Sequence, residues 1–317
     1  MICGAGLAIG SGKAHWMDIL HCFGKPWGVH LSIEKFACFD VSIENHIAHI
    51  CLNRPEKRNS MIPEFWDQLP EVIADIDDNA RARVIVISST GPVFTAGMDL
   101  AAFAPRHSAD KDEARRNSIR HGAAFYDSAR KTQASFNALE ACRLPILAAI
   151  QGGCVGGGVD MVTACDMRYA TADAFFTIFE TNIGMTADVG TFPRLVQQMP
   201  EGLVRELAYT GRRMSADEAK SVGLVNQVFA DQATMLDGVM AIAAEIAEKA
   251  PLAVYGCKRM INYSKDHSTA DTLDYIAIWN ASMMQGQEMQ EAMQSRAEKR
   301  PGDFVDLPKR RGSFGAH

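Results

Sequence analysis

A glycine cluster set directly behind an apolar run constrains this chain more than any other stretch. Ile146-Leu147-Ala148-Ala149-Ile150 reads as a buried strand, and it leads into Gly152-Gly153-Cys154-Val155-Gly156-Gly157-Gly158-Val159-Asp160. Glycines at a strand end let the backbone come close to a ligand and leave amide N–H groups free to face it. A helix opening at Gly157 would add the partial positive charge of its N-terminus, suited to an oxygen that becomes negative. Two more acids follow in apolar company. Glu180 closes Ala174-Phe175-Phe176-Thr177-Ile178-Phe179, and Asp188 sits in Met185-Thr186-Ala187-Asp188-Val189-Gly190, with no Lys or Arg beside it. Acids in such surroundings have raised pKa values, as proton-transfer chemistry requires.

The rest of the chain limits what this centre can serve. At 317 residues, 47% hydrophobic and 22% charged, it has the make-up of a soluble globular protein with a full core. A formal net charge of −6 without a clustered basic face argues against a nucleic-acid partner. The eight cysteines are scattered without a C-x-x-C pair, the usage of buried free thiols in a reducing compartment. The histidines lack metal-ligand spacing and G-x-S-x-G is absent, so neither a metal nor a serine triad is expected. No apolar run reaches the ~18–20 residues of a membrane span. A cytosol (bacterial) or an organelle matrix is the expected setting. There is no clear targeting signal, and the terminal Gly315-Ala316-His317 is not a peroxisomal address.

Three regions are expected. Residues 1–37 form an extension of unknown role; its Gly6-to-Lys13 stretch misses a P-loop at Leu7 and Ala14. Residues 38–230 alternate strand, loop and helix. Phe39–Ile43 and His46–Leu52 read as paired strands with a turn at Glu44-Asn45, a helix is expected over Pro63–Ile76, and Val84–Ser89 opens as a fully buried strand. Charge-rich residues from Ala101 to about Asn117 read as a mobile insertion, followed by a helix from His121 to Ala141. Beyond Asp188, helices are expected over Thr191–Gln198 and Gly202–Tyr209, another behind the Ser215-x-x-Glu218 capping box, and a last strand within Val222–Phe229. Residues 231–317 are helix-compatible: Met235–Lys249, Pro251–Tyr263 and one long Met-rich helix over Thr269–Lys299, together a module that packs against another subunit.

Four motifs, in order, resemble the enoyl-CoA hydratase/isomerase (crotonase) superfamily. They are Asn53-Arg54-Pro55 with Lys57 and Asn59; Phe94-x-Ala96-Gly97-x-Asp99-Leu100; Gly156-Gly157-Gly158; and Ser215-Ala216-x-Glu218-Ala219 with Gly223-Leu224-Val225. Within it, the chain is most similar to the branch that isomerises 3,5-dienoyl-CoA to 2,4-dienoyl-CoA, through Gly156–Asp160, Ala164-Cys165-Asp166, Asp173–Phe176 and Ala187–Thr191. The resemblance implies an α/β fold: a crotonase-like spiral of ββα turns with a C-terminal helical trimerisation region, as a homotrimer or a hexamer. It implies an acyl-CoA thioester substrate and no cofactor beyond the coenzyme A of that substrate. Met98 and Gly157 fall where the family supplies oxyanion-hole amides. Glu180 matches the base at C2, Asp188 the acid at C6, and Asp160 an acid that tunes or orients Glu180. Lys57, Arg58, Ala96, Gly97, Asp99 and Gly156 fall in the substrate- and CoA-binding segments, although Ala101 and Ala102 replace a lysine common after that motif.

Taken from the residues alone, each acid has a second reading. Asp188 serves equally as an acid at the positive end of the following helix, Glu180 as an exposed turn residue, Asp160 as a satisfied polar residue of a helix, and Lys57 and Arg58 as solvated loop charges. Two other functions also fit: a 2-enoyl-CoA hydratase or Δ3-Δ2 isomerase, in which Asp188 is incidental, and a non-catalytic acyl-CoA-binding scaffold.

Overall fold

The computed structural model describes residues 36–99 and 111–310, which lie within one unit spanning Leu31–His317. The expectations for the N-terminal extension, for Leu100 and the first part of the insertion, and for the last three residues fall outside the described residues.

The chain begins with a hairpin. β1 (Phe39–Glu44) pairs antiparallel with β2 (Ile47–Leu52). Asn45 and His46 between them both take left-handed backbone angles, φ 50° and 62°, as a two-residue turn of the type favoured by strand twist requires. The turn is thus one residue beyond the expected Glu44-Asn45. After α1 (Pro63–Asp78) come β3 (Val84–Ser89), α2 (Lys111–Ala141) and β4 (Ile146–Ile150). Every residue of β3 and β4 is buried, because helices cover both faces of the sheet. β5 (Gly153–Val155), α3 (Gly157–Ala164), β6 (Met167–Thr171), β7 (Phe175–Thr177), α4 (Thr191–Leu195) and α5 (Glu201–Thr210) follow. Then come β8 (Met214–Ser215), α6 (Ala216–Ser221), β9 (Gln227–Phe229) and four helices: α7 (Gln232–Ala247), α8 (Pro251–Tyr263), α9 (Thr269–Met283) and α10 (Gly286–Glu298). The main sheet has the order β1-β2-β3-β4-β6-β9 and is parallel from β2 onward; β5, β7 and β8 form a smaller second sheet.

Three elements depart from expectation, each for a visible reason. α2 begins ten residues before His121, since Lys, Glu, Ala and Arg are good helix formers even without an apolar stripe. The long C-terminal helix is broken where Met284 turns extended, at ψ 127°, just before Gly286, a poor helix residue. And α7, assigned to a detached module, lies on the main sheet. Its Met235, Val239, Ala243 and Ala247, four residues apart, pack against Ile47, Val84, Val86, Leu147 and Ala149.

Buried charges tie the layers together. Lys258 of α8 is only 7% exposed, yet its ammonium donates to Leu139 O (3.2 Å), Leu144 O (2.9 Å) and Asp166 Oδ2 (2.8 Å). All three of its protons are used, which offsets its burial. Arg143, equally buried, donates to Asp77 Oδ1 at 2.7 Å and to Pro308 O at 2.8 Å, and Arg310 adds a contact to Asp77 Oδ2 at 3.0 Å. Arg83 holds Asp306 (2.6 Å) and Phe304 O (2.8 Å). The segment after α10 is therefore strapped across the ends of α1 and β3.

Candidate active site

The site forms where three backbone segments meet. Thr95 N donates to Gly153 O and Val155 N to Thr95 O, both at 3.1 Å, which zips the loop after β3 onto β5. The same loop pairs with Met61: Met61 N donates to Gly97 O (2.8 Å) and Asp99 N to Met61 O (3.0 Å). Those bonds flank Met98, so its own N–H is turned away from Met61. A Cβ on Gly97 would lie 2.6 Å from Val155 O and 3.3 Å from Gly157 N, an approach open only to glycine. A Cβ on Gly157 would lie 3.7 Å from Met98 N. The Met98 and Gly157 amides thus sit side by side. Neither donates to another group among the described residues, and Gly157 N is at the first turn of α3.

Buried polar side chains hold this frame. Asn59, 3% exposed, donates to Thr90 O (2.9 Å) and Val93 O (3.0 Å) and accepts from Arg54 N (2.9 Å). Thr95 Oγ1 donates to Asn59 O at 2.7 Å and accepts from Gly97 N at 3.1 Å. Ser60 Oγ donates to Asp99 Oδ2 at 3.2 Å. Ala96 N donates to Arg58 O at 2.9 Å. The Lys57 and Arg58 side chains are exposed on the adjoining turn, and Arg58 is left-handed at φ 53°.

The three acids converge on the same place from different elements. Asp160, in the first turn of α3, is 1% exposed. Its Oδ1 accepts from Thr191 N (2.6 Å) and Thr191 Oγ1 (2.7 Å), whereas Oδ2 is buried without a partner among the described residues. Burial pushes its pKa up to about 7 against the pull of the Thr191 bonds, and the charges of Glu180 and Asp188 push the same way. Glu180 opens a short turn behind β7. Its Oε1 is 3.1 Å from where a Gly156 Cβ would stand, and its Oε2 is buried and unpartnered among the described residues. Burial raises its pKa, and the Asp188 charge adds to that. Asp188, half-buried in the loop before α4, is raised by burial as well. Gly156, with φ +52°, makes room for the glutamate.

This geometry bears on the readings of the acids. The N-cap of α4 is Gly190, and the carboxylate at the start of that helix is Asp160, through Thr191; Asp188 does not cap it. Asp160 makes no hydrogen bond to Glu180 among the described residues, so any influence on Glu180 is through charge. The apolar run before Glu180 is interrupted: β7 ends at Thr177, and Phe179 is 38% exposed. Thr191, Thr95 and Gln133 act in the site without having been singled out for it, because each works through a backbone or side-chain bond to a residue distant in sequence. A cavity of about 920 Å³ between α2, α4, α8 and α9 borders the site at Ala187–Gly190, and neither Glu180 nor Asp160 lines it.

Residues 42–307 match the enoyl-CoA hydratase/isomerase family. The chain belongs to that family. Among curated relatives, the mitochondrial Delta(3,5)-Delta(2,4)-dienoyl-CoA isomerase of Homo sapiens is 44% identical over 269 residues, covering 84% of this chain and 81% of its own. The peroxisomal Delta(3,5)-Delta(2,4)-dienoyl-CoA isomerase of Arabidopsis thaliana is 35% identical over 283 residues, covering 87% and 100%. Among solved structures, an enoyl-CoA hydratase from Bacillus anthracis superposes with a TM-score of 0.74 at 27% identity, covering 86% of this chain and 100% of that one. The fold is therefore the crotonase fold, as the motifs implied. No helix among the described residues is long and apolar enough to cross a membrane.

Proposed function

We infer that this family member is an isomerase that converts 3,5-dienoyl-CoA thioesters to 2,4-dienoyl-CoA thioesters, a step of fatty-acid β-oxidation. The observation that carries the reading is the pairing of two amides that donate to no other described residue with two separate acids of raised pKa, Glu180 beside Gly156 and Asp188 close enough for its charge to act on Glu180. The thioester carbonyl oxygen accepts from Met98 N–H and Gly157 N–H. As the C2–H bond breaks, its electrons flow into the conjugated system and leave negative charge on that oxygen. Each amide contributes about 3–4 kcal/mol there. Glu180 takes the C2 proton, and its raised pKa makes it a better base than an ordinary carboxylate. The dienolate is then protonated at C6 by Asp188, which returns the carbonyl and leaves double bonds at C2 and C4. Raised pKa favours the protonated form that Asp188 needs for this step. The two proton positions, C2 and C6, lie four bonds apart, so two acids serve where one would have to travel.

Asp160 stays near Glu180 as a mostly neutral neighbour at acid pH and fixes the start of α4. The coenzyme A moiety leaves past Ala96, Asp99 and the Lys57–Arg58 turn. Carboxylates carry every proton, so the reaction as written calls for no metal or redox group. An organelle matrix or a bacterial cytosol suits the substrate.

The test is absorbance during incubation of purified protein with a 3,5-dienoyl-CoA, for wild type, Glu180→Gln and Asp188→Asn. Conjugation of the diene with the thioester should raise the signal in wild type and slow it by roughly 10²–10⁴-fold in either variant. A silent wild type that hydrates a 2-enoyl-CoA, or an Asp188→Asn variant with full dienoyl activity, would overturn the assignment.

A further inference from the structure

The acid that must reach C6 sits on a loop with little regular structure of its own. Ala187 to Gly190 lies between the turn after β7 and α4, and belongs to no helix or strand. Among the described residues, side chains make two hydrogen bonds to its carbonyls. One, from Arg194 to Gly190 O, is long at 3.5 Å. The other is short: Gln133 Nε2, on α2, donates to Asp188 O at 2.7 Å. The amide of Gln133 is itself oriented, because Arg130 Nη1 donates to its Oε1 at 3.2 Å, which leaves the nitrogen end facing Asp188. We infer that Gln133 is a positioning residue for the C6 proton donor, fixing the peptide that carries the Asp188 carboxyl, with Arg130 holding the Gln133 amide in register.

The inference rests on the two-acid reading above. Glu180 is set by Gly156 and by the turn behind β7, and the Gln133 hydrogen bonds among the described residues go to Asp188 O and Arg130 instead. Loss of the Gln133 donor therefore loosens one acid and leaves the other in place. A displacement of about 1 Å at a reacting group can cost 10²-fold in rate. Gln133 is half-buried, and methionine has the same length without the donor, so the chain keeps its packing when that bond is removed.

The experiment measures kcat and KM for wild type, Gln133→Met and Arg130→Ala on a 3,5-dienoyl-CoA. It adds the isotope effect of deuterium at C2 and the solvent isotope effect. The expected result for Gln133→Met is a kcat lowered by about 10- to 100-fold with KM within about twofold. Because protonation at C6 becomes the slow step, the C2 effect should shrink and the solvent effect grow. Arg130→Ala should move all three in the same direction by less. A lowered kcat with both isotope effects as in wild type would mean a smaller active fraction and would sink the inference, as would an unchanged kcat. A wild type inactive on the dienoyl substrate would instead refute the assigned reaction.

Discussion

At the residue scale, Asp160 is where fold and function pull against each other. One carboxylate oxygen takes two bonds from Thr191, and the other is buried without a partner among the described residues. Its folded pKa, about 7, lies above the 3.8 of an unfolded aspartate. Between those values the folded chain holds a proton that the unfolded chain has released. The contribution is thus fully present below about pH 4 and is lost as pH rises toward 7. Asp160→Asn keeps an acceptor for Thr191 and cannot ionise. Urea unfolding should find it more stable than wild type by roughly 2–4 kcal/mol at pH 8 and near parity at pH 4. Equal stability at both pH values would mean that Asp160 is solvated or paired in the folded chain.

At the scale of elements, the approach of the loop after β3 to β5 decides whether the oxyanion site exists. Gly97 has φ +82°, and a methyl there would press on Val155 O. Gly97→Ala should separate the Met98 and Gly157 amides and lower kcat by about 10²-fold while the protein stays folded. Circular dichroism beside the absorbance assay checks this, and an active Gly97→Ala would refute the pairing of these two amides. The glycine turn, the three acids and most helices were legible, because each is a local pattern of residue type and spacing. The joining of Thr95 to Cys154 was not, since it is a backbone bridge between segments 59 positions apart. Nor was Gln133, whose side-chain N–H donates to a carbonyl 55 positions away. The docking of α7 could have been read: Met235, Val239, Ala243 and Ala247 make an apolar stripe on a helix with few other buried residues.

At the scale of the whole molecule, α9 and α10 are folded but barely covered. Thr272 is the one buried residue of α9 and Ser295 that of α10, while Leu273, Ile278, Met283, Met284, Met289 and Met293 are exposed. An apolar face of that extent belongs against another surface. We propose a second and third copy of this chain, and light scattering on the purified protein should give three or six times the 34.6 kDa chain mass. A monomer at micromolar concentration would refute it.

The strap formed by Phe304, Asp306 and Pro308 sets an order of assembly. Arg143 is buried at the head of the central strand pair, and one of its donors is satisfied only by Pro308, 165 residues further along. On a ribosome moving at ~5–20 residues per second, that partner arrives on the order of ten seconds later. Until then the core can collapse, but this guanidinium is left one bond short and Asp77 lacks Arg310. Closure of the core around Arg143 thus waits on a segment 165 residues downstream, and a nascent chain stalled before Pro308 holds its Arg143–Asp77 pair one hydrogen bond short.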